Sequence, residues 1–194
     1  MPVLTKNVPI FPLSTVLFPE GVLALRIFEA RYLDMVSSCL KQEVPFGVCM
    51  IVDGREVGTA ARSYQLGTLA KISEWGQSDD GVLTIEAIGC QRFKILDSDI
   101  SSHELITATI QVLPEPAAIP VPEGLKNLAL MLKNVLKKHQ PNKALKEEQF
   151  NDANWVGYRL AEVLSMENVM RQRLLEMEDP IDRLHMILGL FTNR

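Results

Sequence analysis

Several things are scarce in this chain of 194 residues, and each scarcity excludes something. There are three cysteines, Cys39, Cys49 and Cys90, far apart and odd in number. That is no disulfide framework, and no CxxC or Cys/His pair has metal-ligand spacing. They read as small buried hydrophobes. The three histidines, His103, His139 and His185, are scattered, and none has a nucleophile at motif distance. Basic excess is missing as well. Before Ala118 nine Lys and Arg face fourteen Asp and Glu, a net −5, and after it eleven face ten, a net +1. Phosphate binding usually needs the opposite balance, so no nucleic acid is expected as a partner. Aromatics make up only 6% of the residues.

Long apolar runs are absent too. A membrane-spanning helix needs about 20 mainly apolar residues, and no window supplies them. The segment PIFPLSTVLFPEGVLALRIFEARY, residues 9–32, is strongly apolar but is interrupted by Pro9, Pro12, Pro19, Glu20 and Gly21, with Lys6 as the only early positive charge. Neither a signal peptide nor a membrane anchor has that pattern, so cytoplasm is the expected location and no membrane the expected partner. No phosphate-cradling glycine loop, nucleophile elbow or metal-binding cluster occurs, and no cofactor or metal is expected. A hydrolase would have to use Cys49, Cys90 or the Ser63–Tyr64 pair, without an evident base.

What is present is an ordinary apolar content, 47%, enough for a sizeable core, and two kinds of periodicity. Residues 1–113 read mostly as strands. Val8–Leu13, broken by proline, fits a sheet edge. In Val22–Ile27, Leu23, Leu25 and Ile27 share one face. Tyr32, Met35, Val36, Cys39 and Leu40 form a helical stripe. Phe46–Val52, Leu69–Trp75, Val82–Ile88, Arg92–Leu96 and Leu105–Leu113 complete the strands, with Asp79-Asp80-Gly81 as a hairpin turn. Short strands with regular turns predict a closed or nearly closed barrel with one inserted helix.

Residues 114–122 hold four prolines and read as an extended linker. From 123 to 194 the period is helical. Leu125, Leu128, Ala129, Leu132, Val135 and Leu136 form one stripe, and Trp155, Val156, Leu160, Val163 and Leu164 a second. Ser165 is placed to cap a third helix, and Asp179-Pro180 starts a fourth. The fold class is therefore α+β, a β barrel followed by a helical bundle. The lysines Lys133, Lys137, Lys138, Lys143 and Lys146 form either a solvated helix face or a surface for an acidic partner. Phe18, Phe28 and Phe46 flank chain breakers, where barrel ends lie, and Trp75 sits at the lip of the hairpin. These four are the candidate polypeptide-binding residues, since an exposed ring there would offer contact area to an extended chain; packing against the rim is the alternative for Trp75.

Several motifs occur in order along nearly the whole chain: Pro12-Leu13 with Val16-Leu17-Phe18-Pro19-Glu20-Gly21; Phe28-Glu29-Ala30-Arg31-Tyr32; Gly58-Thr59-Ala60-Ala61; Ile88-Gly89-Cys90-Gln91-Arg92-Phe93; and Asp179-Pro180 with Arg183-Leu184. Together they resemble the N-terminal, substrate-binding domain of the Lon protease family. The resemblance implies a β pseudobarrel similar to PUA domains with a helical bundle behind it. It implies that the glycine after Pro19 supplies a positive-φ turn and that Gly89–Gln91 lies in a hairpin. The Walker lysine and the Ser–Lys pair of Lon are absent from these residues, so ATP hydrolysis and proteolysis are not carried over. What the resemblance leaves is a non-catalytic module, not an enzyme, that captures unfolded or extended polypeptides. It would act alone, as a homo-oligomer, or as an adaptor on a protease or ATPase partner. RNA binding by the PUA-like barrel is the alternative, opposed by the −5 charge.

Overall fold

The structure is a computed structural model that describes residues 3–139 and 145–192. Two compact units make up the chain, Met1–Glu115 and Pro116–Arg194. Lys143 of the lysine run lies outside the described residues.

The first unit contains strands β1 (Val3–Leu13), β2 (Val22–Ile27), β3 (Phe46–Asp53), β4 (Arg62–Ser63), β5 (Leu66–Gln77), β6 (Leu83–Ile100) and β7 (Ile106–Val112), with helix α1 (Ala30–Gln42) between β2 and β3. Pairing runs β1–β7–β6–β5–β3 and returns from β3 to β1, which closes a five-stranded ring. The closing contact is parallel, Ile10–Leu13 beside Gly47–Met50. β2 stands outside this ring as an extra strand on the first half of β6, from Val22↔Ile88 to Ile27↔Leu83.

Two expectations about this sheet are corrected. The proline-broken segment is not an edge: β1 has β7 on one side and β3 on the other. The prolines are tolerated because the partners take turns. Pro9 lies opposite Thr107 of β7, before the β3 pairing begins at Ile10, and Pro12 lies opposite Cys49 of β3, after the β7 pairing has ended. Each stands where the strand is paired on one side only, so the missing N–H can face away from the ladder.

The second correction concerns residues 82–96, read as two strands with a hairpin between them. From Leu83 onward they belong to one continuous strand, β6. Gly89 marks a close backbone approach instead. A Cβ there would stand 2.2 Å from the Phe18 carbonyl oxygen. The same approach lets Glu20 N–H donate to Gly89 O at 2.7 Å and Gly89 N–H donate to Gly21 O at 2.8 Å. Nor does Gly21 supply the positive φ of the Pro19 turn. Glu20 does, at φ 59°, while Gly21 N–H closes the turn on Phe18 O at 2.9 Å. A proline followed by a positive-φ residue is the type II pattern, which favours glycine where Glu20 stands.

Two apolar clusters hold the unit. Inside the ring, Val8, Ile10, Cys49, Leu69, Phe93 and Ile110 pack together. On the other cluster Tyr32, Met35, Val36 and Cys39 of α1 cover Phe11, Phe46, Val48 and Ile85. That is the helical stripe read from the sequence, with Leu40 half-buried at its margin. The Asp79–Gly81 turn joins β5 to β6, with Gly81 at φ 83°.

The second unit contains α2 (Lys126–His139), α3 (Ala153–Val163), α4 (Asn168–Glu176) and α5 (Pro180–Thr192). α3 is its core: every residue from Ala153 to Ala161 is buried. Asp179 caps α5, its carboxylate accepting from Ile181 N–H at 2.7 Å and Asp182 N–H at 3.1 Å. Ser165 caps nothing, because α4 starts two residues later than expected, with Glu167 at its N-cap. The later part of the proline-rich stretch is extended and joined to this unit. Asn154 donates to Ala117 O, Ala153 N–H to Ile119 O and Val121 N–H to Asn151 O. Among the described residues no helix is long and apolar enough to cross a membrane.

Candidate functional site: an apolar groove on the β unit

The groove starts where β2 ends. Ile27 points inward and is buried; by alternation its neighbour Phe28 points out, and 60% of it is exposed. A bulge in β5 between Ile72 and Glu74 shifts the alternation of that strand. Trp75, just beyond the bulge, is 68% exposed. Phe28 and Trp75 line one open cavity of about 490 Å³, together with Leu33, Val82 and Leu83. A second cavity of about 350 Å³ adjoins it and is lined by Phe11, Leu25, Tyr32 and Val57, with Glu29 and Glu56 as carboxylates. Ile27 and Phe28 belong to both. A third, of about 300 Å³, lies beyond Trp75 beside Ala24, Glu74 and Glu86. The result is a string of shallow, mainly apolar depressions with Phe28 and Trp75 standing between them.

Its walls are tied by ionic and backbone contacts. Arg31 is buried and donates to Glu104 O at 2.7 Å. It pairs with Glu29 at 3.1 Å and lies 4.6 Å over the Tyr32 ring. Tyr32 in turn stacks on Phe11 at 3.9 Å. The Glu29 carboxylate also accepts Gly58 N–H at 3.2 Å, and the Glu104 carboxylate accepts Ala60 N–H at 2.8 Å. Glu56 accepts Ser14 N–H at 2.5 Å. The segment 54–61 is thus strapped down at three points, which sets Val57 at the second cavity. Here the Phe28–Tyr32 and Gly58–Ala61 motifs meet: one supplies the clamp, the other the backbone it holds. At the hairpin rim, Arg26 pairs with Asp80 at 2.5 Å. The Ser78 hydroxyl, and then Arg26, hold the Asp80 carboxyl below its ordinary range.

Of the four candidate aromatics, the structure brings Phe28 and Trp75 together and removes the other two. Phe18 and Phe46 have no exposed surface. Phe18 precedes the turn whose backbone meets Gly89, and Phe46 lies under α1 in the core. A side chain sealed from solvent cannot meet another chain. Leu33 and Val57 were not singled out from the sequence. Leu33 follows the stripe of α1 by one residue, and Val57 stands in a segment with no periodicity. The Phe28–Glu29–Arg31–Tyr32 and Gly58–Ala61 motifs are the sequence signals for this corner.

Of the thiol and hydroxyl candidates, Cys49 is buried with Ser63 beside it, and Cys90 is half-buried. Burial pushes the Cys49 thiol up to about 12, against a smaller opposing hydrogen bond from Ser63. Burial also raises Cys39 and Cys90. A thiol in that state is a poor nucleophile. Among the described residues no group of three or more His, Cys, Asp or Glu side chains is arranged to hold a metal ion. In the lysine run, Lys133 pairs with Glu147 at 2.6 Å.

Comparison with known proteins agrees with this architecture. Residues 7–193 match the family described as the ATP-dependent protease La (LON) substrate-binding domain. A crystal structure of a Lon N-terminal domain protein from Xanthomonas campestris is similar at 30% identity and a TM-score of 0.81, covering 95% of this chain and 98% of that one. The N-terminal domain of a Mycobacterium avium complex Lon protease shares the fold, at 17% identity and a TM-score of 0.66, with 95% and 97% covered. Lon protease 2 of Herpetosiphon aurantiacus is 26% identical over 210 residues, 95% of this chain and 24% of that protein. Protein cereblon of Gallus gallus is 30% identical over 112 residues, 56% of this chain and 24% of that protein. The chain spans about a quarter of the length of these curated relatives. With its closed ring of strands, its helical unit and a match over almost its whole length, the chain belongs to the Lon substrate-binding domain family.

Proposed function

We propose that this chain is a non-catalytic polypeptide-binding module that holds extended, partly unfolded segments in the groove of the β unit. The observation that carries this reading is the convergence of Phe28 and Trp75, both more than half exposed, on one apolar cavity. Large flat side chains on rigid elements give contact area at small entropic cost. Membership of a substrate-binding family supports a protein as the ligand. The raised thiols of Cys39, Cys49 and Cys90 support a role without covalent catalysis. The β unit's net charge of −5 weighs against RNA. A module of this kind serves either as a holder of unfolded chains or as an adaptor on a protease or ATPase partner in protein quality control, and Phe28 and Trp75 are the residues that make the contact in both cases.

The test is fluorescence anisotropy with a labelled model protein, unfolded by reduction and carboxymethylation, against its folded form. Saturable binding of the unfolded chain alone is expected. Trp75→Ala should weaken it about 10-fold, a typical loss for an aromatic at the centre of an interface. Thermal stability should stay within about 0.5 kcal/mol, because the ring is exposed. No binding to any of a varied panel at high micromolar concentration would overturn the reading. So would tight, steeply salt-dependent retention of RNA.

A further inference from the structure

We infer that the occupant of the groove is an extended segment of alternating apolar and cationic residues, added as a further strand to the free edge of β2. This rests on the polypeptide-binding reading and specifies its mode. Among the described strands β2 pairs with β6 and with no other. Gly89 N–H donates to Gly21 O across this pair. By the alternation of an antiparallel ladder, Leu23, Leu25 and Ile27 then bond to β6, and Val22, Ala24 and Arg26 turn their N–H and C=O groups to the open side.

Natural sheets blunt such edges with lysine, proline or a bulge. β2 has none of the three: its register is unbroken over six residues, and its one charge, Arg26, is engaged with Asp80. The edge also borders the second cavity, whose lining includes Ala24, Leu25 and Arg26 on one side and Val57 on the other.

Side-chain chemistry follows from the two faces. Positions of an added strand on the face of Leu25 enter the apolar cavity beside Tyr32 and Val57. Positions on the other face lie next to Ala24, which is opposite Glu86, which is opposite Glu74. Two carboxylates directly opposite on neighbouring strands repel each other, and a cation between them would relieve that. Ala24 is the only side chain of β2 at that level, and it is short enough for a lysine or arginine to reach Glu86 across it. The net charge of −5 on the unit favours the same sign of ligand.

The test uses the whole chain and a blocked peptide of alternating valine and lysine as the probe, measured by anisotropy. Methylating one alternate set of its backbone nitrogens should cost at least 10-fold in affinity, while methylating the other set changes little, because only one set faces β2. An alternating valine–glutamate peptide should bind at least 10-fold more weakly, and Glu86→Lys should reverse that preference. Ala24→Pro, which removes an outward N–H, should abolish probe binding without lowering the melting temperature. If the valine–lysine probe binds but both methylated sets bind equally, the strand-addition mode is overturned while the polypeptide-binding function stands. Failure to bind either the probe or any unfolded chain overturns both.

Discussion

In the helical unit Arg183 has no exposed surface and its guanidinium serves as an internal bolt. It donates to Leu174 O at 2.9 Å, to Met177 O and to the Tyr158 hydroxyl, and it lies 4.2 Å over the Tyr158 ring. In the β unit Arg31 is also buried, but just behind the groove, and its partners Glu29 and Glu104 hold the segment 54–61. Part of the exposed apolar surface of the β unit is gathered: Phe28, Leu33, Val57 and Trp75 surround adjoining cavities, whereas Leu130, Val169 and the Leu188–Phe191 pair of the helical unit stand on three different helices. Of the two buried arginines in each unit, Arg183 of the helical unit serves internal cohesion and Arg31 of the β unit shapes a surface. Scattered apolar residues are ordinary; convergent ones make a site.

The two tryptophans allow each unit to be followed separately, Trp155 reporting the helical unit and Trp75 the groove. The largest effect is expected for Arg183→Met. It leaves the carbonyls of Leu174 and Met177 and the Tyr158 hydroxyl without their donor, at a cost of about 3–5 kcal/mol. Urea unfolding followed by Trp155 in a Trp75→Phe background would measure it, and a loss under 1 kcal/mol would refute the bolt. Arg31→Met should cost less, about 2 kcal/mol. Its sharper signature is local: trypsin should cut faster after Arg55, and a cleavage rate equal to that of the unaltered chain would show that Arg31 does not hold the segment.

Alkali should distinguish the units as well. Burial raises the thiol of Cys49 from 9.0 to about 12, and burial raises Tyr32 from 10.0 to about 12. Both groups are neutral when protonated and ionise more readily in the unfolded chain. Their contribution is therefore complete below the unfolded values and falls as pH rises through the window 9–12, by about 1.4 kcal/mol per pH unit per group. Both belong to the β unit, so Trp75 should report an alkaline transition that Cys49→Ala moves to higher pH; an unmoved midpoint would contradict this. The smallest effect is a gain. Glu20→Gly relieves the positive φ of the Pro19 turn and should stabilise by about 1 kcal/mol in thermal unfolding. No change would mean that this turn carries no strain.

Much of this molecule was legible from local pattern. The α1 stripe, the inward face of Leu23, Leu25 and Ile27, and the Asp179-Pro180 start of α5 are properties of a single segment, and periodicity reports those directly. The family motifs carried the fold class. Phe18 and Phe46 show where that reading stops: in sequence they resemble Phe28, each an aromatic at the end of an apolar segment, yet two are sealed and one is open. The difference depends on what packs over each ring, and that information resides in other segments.

The sequence by itself determined the secondary periods, the acidic balance of the first half and membership of a Lon-type domain, because side-chain spacing and charge count need no partner. Only the tertiary structure decided that β1 is central, that β6 runs unbroken through Gly89, that β2 pairs with β6 alone among the described strands, and that Phe28 and Trp75 share a cavity. Each of those depends on which strand stands beside which, a relation between residues many positions apart that no local spacing encodes.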